Sequence, residues 1–295
     1  MELKNIKTFI KVAELGSFSH AAADLGYAQS TISTQIQLLE DELGVQLFER
    51  NGKLIALSQP GESFLPFAYQ IAKYESMAKE FFQTPQAPQG HLNIGIMESI
   101  CASPYVSLFY RFMKKYPQIT CRLQVATTYE AIDLLERGKL DLIFLLDHMT
   151  SRPGWTTARA ISEQICFFCA SDHPFAGRDF VTLGELLKER FLFVEKGCNY
   201  RHAFEQYLAQ NGLEAPCCLE IGHTRFIIDA VISHLGISLL PRCTLLNDLA
   251  NGTISLIHVQ DYDLSMYIQV IYNTNRWAAP ALRCLIEEAA AFPLQ

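Results

Sequence analysis

Five hydrogen-bonding side chains fall at helical spacing between residues 29 and 37: Gln29, Ser30, Ser33, Thr34 and Gln37. Ile32, Ile36, Leu39 and Leu43 recur at intervals of four, three and four, so they form one buried stripe and leave the polar residues largely on the other side. Amides and hydroxyls on an exposed helix face suit base edges, since glutamine can hold adenine through two hydrogen bonds. Arg50 and Lys53 flank Asn51-Gly52, a hairpin signal because both turn positions favour positive φ; a basic hairpin tip reaches phosphates or a minor groove. A second group of candidates sits at strand-to-helix turns: Ser99 with Ile100 and Cys101 behind it, Thr127 and Thr128, Cys198 and Asn199, and His223 and Thr224. Hydroxyls and free backbone N–H groups at helix N-termini gather anions, so a small carboxylate or similar metabolite is the expected ligand. Simple capping explains Ser and Thr at such positions equally well.

The nine cysteines, an odd number lying mostly in apolar runs, read as reduced core thiols. Cys166-Phe-Phe-Cys169 with His173 invites a zinc site, but residues three apart on a strand point to opposite faces and cannot share a metal. Cys198 differs: a helix start and nearby Arg201 both lower a thiol pKa, which keeps a thiol-based redox sensor as an alternative. No G-x-S-x-G, H-E-x-x-H, P-loop or G-x-G-x-x-G fingerprint is present. No enzyme activity, cofactor or metal is therefore expected.

The elements that must position these residues are legible in outline. The chain has 295 residues, 49% hydrophobic and 19% charged, with a net charge of −7, so it is globular and long enough for two or three modules. The N-terminus has no apolar signal region, and no apolar run approaches the roughly 20 residues of a membrane span, so a cytoplasmic location is expected. Leu3, Ile6, Phe9, Ile10 and Ala13 mark a first helix stopped by Gly16. Ser19 is placed to cap a second, from His20 to about Gly26, and a third runs from about Gln29 to Leu43. Two helices joined by a tight turn and followed by a basic-tipped hairpin make a winged helix-turn-helix. Residues 1–90 hold seven Lys and Arg against ten Asp and Glu, so a three-helix bundle that merely packs on a partner protein stays open by charge alone.

From Ser58, which is expected to cap a helix with Pro60 in its first turn, Phe64, Phe67, Ile71, Tyr74, Ala78 and Phe81 alternate spacings of three and four. This heptad seam predicts a dimerisation helix, with a kink at Pro66. Proline and glycine in residues 84–90 mark a boundary. Beyond it, strand patterns at HLNIGIM, ITCRLQV, LDLIFLL, QICFFCA, RFLFVE, CLEI and GISLL alternate with helical patterns near 103–115, 129–137, 182–188, 200–211 and 224–234. That alternation predicts a doubly wound, parallel α/β sheet whose ligands bind beyond the carboxyl ends of its strands.

The stretch GSFSHAAADLGYAQSTISTQIQLLEDELGVQLFERNGKLIALSQPG resembles the N-terminal signature of LysR-type transcriptional regulators: a GSF-then-AA entry, a Q-then-S reading helix and an LE-x-x-LG-x-x-LFER exit. AVISHLGISLLPR resembles that family's V-x-x-G-x-G-I-x-x-LP motif, with His234 in place of the first glycine. Ala28 stands where a capping Ser or Thr is usual, and Thr34 and Gln37 replace common arginines, which implies fewer phosphate contacts. The resemblance implies an N-terminal all-helical winged helix-turn-helix over 1–58, a linker and dimerisation helix over 59–84 and a hinge over 85–90. Residues 91–295 then form a two-lobed α/β effector domain of the periplasmic-binding-protein type, lobe I about 91–161 and 267–295, lobe II about 162–266. The expected partners are double-stranded DNA with a near-palindromic site, a small-molecule effector, and further copies of the chain as a homodimer or dimer of dimers. RNA polymerase is a candidate partner and a membrane is not. A cytoplasmic ligand-binding protein with an oligomerising N-terminal module is the remaining alternative.

Overall fold

The computed structural model describes residues 1–51, 54–81, 88–274 and 279–292; Lys53 and residues 84–87 of the expected boundary lie outside the described residues, as do the side chains of Arg50 and Phe81. Three helices open the chain: α1 (Leu3–Leu15), α2 (Phe18–Leu25) and α3 (Gln29–Leu43). Each ends on a glycine in the left-handed conformation, at Gly16, Gly26 and Gly44. The cap of α2 is Ser17, whose side chain accepts from His20 N, and not Ser19. Starting two residues further back lets Phe18 enter the core beside Phe48, 5.7 Å between ring centroids. Ile32, Ile36 and Leu39 of α3 are buried with Ile6, Phe9 and Val12 of α1, and Thr8 donates to Gln35 across that contact at 2.6 Å.

The hairpin pairs β1 (Phe48–Asn51) with β2 (Leu54–Leu57). Asn51 pairs with Leu54, so Asn51 belongs to the strand and not, as the sequence suggested, to the turn. The buried Glu40 carboxylate fixes the hairpin's root by accepting from Leu47 N at 2.7 Å and Phe48 N at 3.4 Å. Helix α4 (Gln59–Phe81) starts at Ser58, whose hydroxyl accepts from Gly61 N at 3.1 Å, and continues through Pro66. Its heptad stripe divides in two. Phe64 and Ile71 pack on the N-terminal core, Phe64 lying 5.2 Å from Phe9, while Phe67 is 67% and Tyr74 65% exposed.

The rest of the chain builds one mixed, nine-stranded sheet. In its first lobe, β3 (Gly90–Ile96) runs parallel to β4 (Ile119–Val125) and β5 (Leu142–Asp147), with α5 (Glu98–Cys101), α6 (Val106–Lys115) and α7 (Thr128–Glu136) between them. The long β6 (Trp155–Ala170) then crosses to the second lobe. There α8 (Leu183–Leu186), β7 (Phe191–Phe193), α9 (Asn199–Gln210), β8 (Cys217–Glu220), α10 (Thr224–Ile232) and β9 (Ile237–Pro241) follow, β7 again parallel to both neighbours. After α11 (Arg242–Ala250) and β10 (Ile254–Ile257), β11 (Leu264–Asn273) returns antiparallel beside both β6 and β5, and α12 (Pro280–Ala291) closes the first lobe. The sheet is thus parallel within each lobe and antiparallel where β6 and β11 join them.

Two residues of the second lobe explain its last motif. A Cβ on Gly236, at φ 157°, would stand 2.2 Å from the Arg190 carbonyl oxygen, so that position accepts no side chain. His234 nevertheless occupies a left-handed backbone at φ 60°, where the resembled motif has glycine.

Candidate functional site

The polar face of α3 is presented as its spacing predicts. Gln29, Ser30, Thr34 and Gln37 are exposed and Ser33 is half-buried. Some of their groups are already engaged: Gln29 Oε1 accepts from Ser19 at 3.0 Å, Thr34 Oγ1 donates to the Ser30 carbonyl at 2.9 Å, and Gln37 donates to Asp41 at 2.8 Å. Ala28, the residue before the helix, offers no side-chain cap. The lysines of α1 are paired: Lys4 with Glu2 at 2.7 Å, Lys7 with Glu75 of α4 at 2.6 Å, and Lys11 with Asp24 at 3.1 Å and Glu14 at 3.5 Å. Positive charge on this module therefore does not gather along α1.

The second site is a cleft of about 190 Å³ between the lobes. It opens at the carboxyl ends of β3, β4, β7 and β8, where Met97, Thr127, Val194 and Gly222 line it, as the rule for open α/β sheets requires. Ser99, Thr127 and Cys198 are in its wall. Ile100 is not: it is 1% exposed and packs in the apolar core, about 100° round the single turn of α5 from Ser99. Cys101 is likewise packed against that core. Thr128, Asn199 and Thr224 serve as bonds between lobes. Asn199 Nδ2 donates to Thr128 Oγ1 at 2.9 Å and to the Leu146 carbonyl at 3.4 Å. Thr224 N donates to the Glu98 carboxylate at 3.0 and 3.1 Å, and its hydroxyl donates there too. His223 caps α10, its Nδ1 accepting from Phe226 N at 3.2 Å.

Two of the helix ends at which an anion was expected are already occupied. The Thr127 end of α7 is closed by a capping box, with Glu130 accepting from Thr127 N at 3.0 Å, and the Thr224 end of α10 holds Glu98. Both N-termini have their negative partner within the chain. Spacing had concealed Glu98, Glu130 and Glu195 as cleft residues, although T-x-x-E at Thr127 is itself a capping-box signature.

The thiol expectation is also corrected. Cys198 is 5% exposed, and burial pushes its thiol up to about 12, outweighing the lowering effect of hydrogen bonds from Tyr200 and from the Arg201 backbone; the Glu195 charge adds the least. The charge of Arg201 is not what acts on it: the guanidinium is turned to Glu205 at 2.7 Å, Glu220 at 2.8 Å and the Val194 carbonyl. Cys166 and Cys169 are buried in β6 with thiols raised by desolvation to about 11 and about 12. Among the described residues no three His, Cys, Asp or Glu side chains are placed to hold a metal ion. A separate hollow of about 620 Å³, lined by Tyr105, Arg111, Glu163, Arg242, Leu246 and Phe292, lies away from the cleft.

A winged helix-turn-helix carried by a long helix on a two-lobed α/β domain with a cleft at its strand ends defines a DNA-binding regulator with its own ligand-binding domain. Family models place the same two parts on the sequence: "Bacterial regulatory helix-turn-helix protein, lysR family" matches residues 3–62 and "LysR substrate binding domain" matches 85–292. The chain belongs to the LysR family of bacterial transcriptional regulators. It is 33% identical to the uncharacterized HTH-type transcriptional regulator YwqM of Bacillus subtilis, over 97% of this chain and 98% of that one. It is 28% identical to the HTH-type transcriptional regulator SoxR of an Arthrobacter species, over 97% and 96%. Full-length OxyR from Pseudomonas aeruginosa has the same fold, with a TM-score of 0.73 at 20% identity over 99% of this chain and 98% of that one. Among the described residues no helix is long and apolar enough to cross a membrane.

Proposed function

We propose that this regulator binds a near-palindromic site on double-stranded DNA as a homodimer or dimer of dimers, and that a small molecule in the interlobe cleft changes that binding. In this reading residues 1–58 contact DNA, 59–84 pair two copies, 85–90 act as a hinge, and 91–295 hold the effector, the whole acting in the cytoplasm. The observation that carries it is the pairing of an uncapped, hydrogen-bonding α3 face with a cleft bridged by Asn199–Thr128 and Glu98–Thr224. Gln29, Ser30, Ser33, Thr34 and Gln37 contact base edges and adjacent phosphates, with Arg50 and Lys53 at the wing. A solved neighbour of the same fold, CbnR, is described as complexed with its target DNA (TM-score 0.53, 20% identity, 98% of both chains).

Replacing Gln29 and Ser33 together with alanine tests the DNA face. Each lost base contact costs about 1–3 kcal/mol, so specific binding in competition gel shifts should fall at least about fivefold per contact, while oligomeric state stays the same. Equal loss on specific and random duplexes would refute the base-reading role. Because the α1 lysines are paired, few phosphates are neutralised, and log K should fall against log salt with a slope of only a few units, at about 0.9 per phosphate.

A further inference from the structure

The cleft carries a charge pattern that the fold does not dictate. Among the described residues Glu98, Glu130 and Glu195 line it, and no lysine, arginine or histidine does. Glu98 and Glu130 already answer the N-termini of α10 and α7, so an entering anion would meet carboxylates where it needs donors. At the low effective dielectric of a partly enclosed site that repulsion is several-fold stronger than in water. Two groups in the wall are left over. The half-buried Glu195 carboxylate takes no hydrogen bond or ion pair from any described residue. Ser99 is 5% exposed and its hydroxyl has no hydrogen-bond partner among the described residues, which is rare for a buried polar atom and marks a place where a ligand or water completes the bonding.

We propose that the cleft takes a small organic cation, a molecule with at least one protonated amine, which donates to the Glu195 carboxylate and the Ser99 hydroxyl with Glu98 beside them. The inference rests on reading the cleft as the effector site. An ammonium brings three donors and no acceptor, which answers the unpartnered Glu195 carboxylate and the acceptor side of the Ser99 hydroxyl, and its bonds to carboxylate are of the stronger, charge-assisted kind. A metal ion is the less fitting cation, because among the described residues no three His, Cys, Asp or Glu side chains are grouped to hold one. The volume of about 190 Å³ is below the roughly 300–1,000 Å³ of drug-sized sites, so the ligand is of amino-acid or diamine size. The same negative field is felt by Tyr200, whose hydroxyl is pushed well up by burial first and then by Cys198, Glu195 and Glu98.

The full-length protein would be titrated by calorimetry and thermal shift with primary amines from ethylamine to spermidine, each beside its alcohol and carboxylate counterparts. At least one amine should bind and raise the transition while its alcohol and carboxylate counterparts do not. Glu195→Gln should weaken that amine about tenfold or more, the worth of one charge-assisted bond, and Gly197→Trp, which fills the cleft, should abolish it; circular dichroism of both variants controls for folding. Binding by no amine overturns the inference, as does an amine whose affinity is the same in both variants. If instead a carboxylate binds and Gly197→Trp abolishes it, the cation is wrong and the cleft reading stands. Carboxylate binding lost only on Arg242→Gln belongs to the other hollow, and then both fail.

Discussion

His234 stores a small, removable strain. A left-handed backbone costs a residue with a side chain about 1–2 kcal/mol, less for histidine, which tolerates that region better than most. The compensating ion pair, His234 Nδ1 to Asp172 at 3.7 Å, is exposed on both sides and contributes little. His234→Gly should therefore stabilise the C-terminal domain by about 0.5–1 kcal/mol and raise its melting transition by about 1–3 °C; a fall in calorimetry would show that the ring makes a contact worth more than the strain. Cys198 gives the opposite case, a residue whose neighbours in sequence mislead. Arg201 is three positions away and on the same helix, but its guanidinium is held by Glu205 and Glu220. A thiol pushed up to about 12 stays protonated and unreactive at neutral pH. Iodoacetamide at pH 7.5 should label the exposed Cys217 and Cys218 well before Cys198, as followed by peptide mass spectrometry. Early labelling of Cys198 would revive the redox alternative.

Elements with a full apolar period were legible from the residues alone. Helix α3 runs from Gln29 to Leu43, the expected bounds, because its four-three-four stripe and Gly44 leave no other solution. Helices α11 and α12 and strands β10 and β11 carried no reading, and only the Gln164–Ala170 end of β6 did. The remainder, Trp155–Glu163, is mostly half-exposed and polar, so it has no two-residue period; its strand state comes from pairing with β11, which is non-local. Helix α4 shows the limit of a periodic pattern, since one stripe serves two surfaces and spacing does not say which member faces which. Replacing Phe67 and Tyr74 with serine should leave the N-terminal fold intact and shift the dimer toward monomer in size-exclusion light scattering, because both side chains are mostly exposed in a single chain. An unchanged mass would remove α4 as the pairing surface. At the start of α3, Ala28→Ser supplies the missing acceptor and should add about 0.5–1 kcal/mol to the N-terminal module, measured by urea unfolding.

At the scale of the molecule, what matters is that the two lobes are held by few bonds. Strands β6 and β11 join them covalently, while side chains across the cleft add Asn199–Thr128, Asn199–Leu146 and Glu98–Thr224. None of these pairs has any signature in sequence: their members are 53 to 126 residues apart, and the residues were found only because strand ends fall together in such sheets. Glu98, the acidic half of the last pairing, was missed for the same reason. Each neutral bond is worth about 0.5–1.5 kcal/mol, and coupling between an effector and a distant site is typically about 1–3 kcal/mol. One or two bridging bonds are therefore of the size of the whole signal. Asn199→Ala removes two of them without touching α3 or the wing, and leaves Thr128 Oγ1 able to donate to Met97 Sδ at 3.5 Å. If lobe arrangement controls DNA contact, this variant should change operator affinity a few-fold in fluorescence anisotropy with no ligand present, and ligand should move it less than it moves the unaltered protein. Unaltered affinity and an unaltered ligand response would mean that the lobes do not communicate with the DNA-binding helices through this clamp.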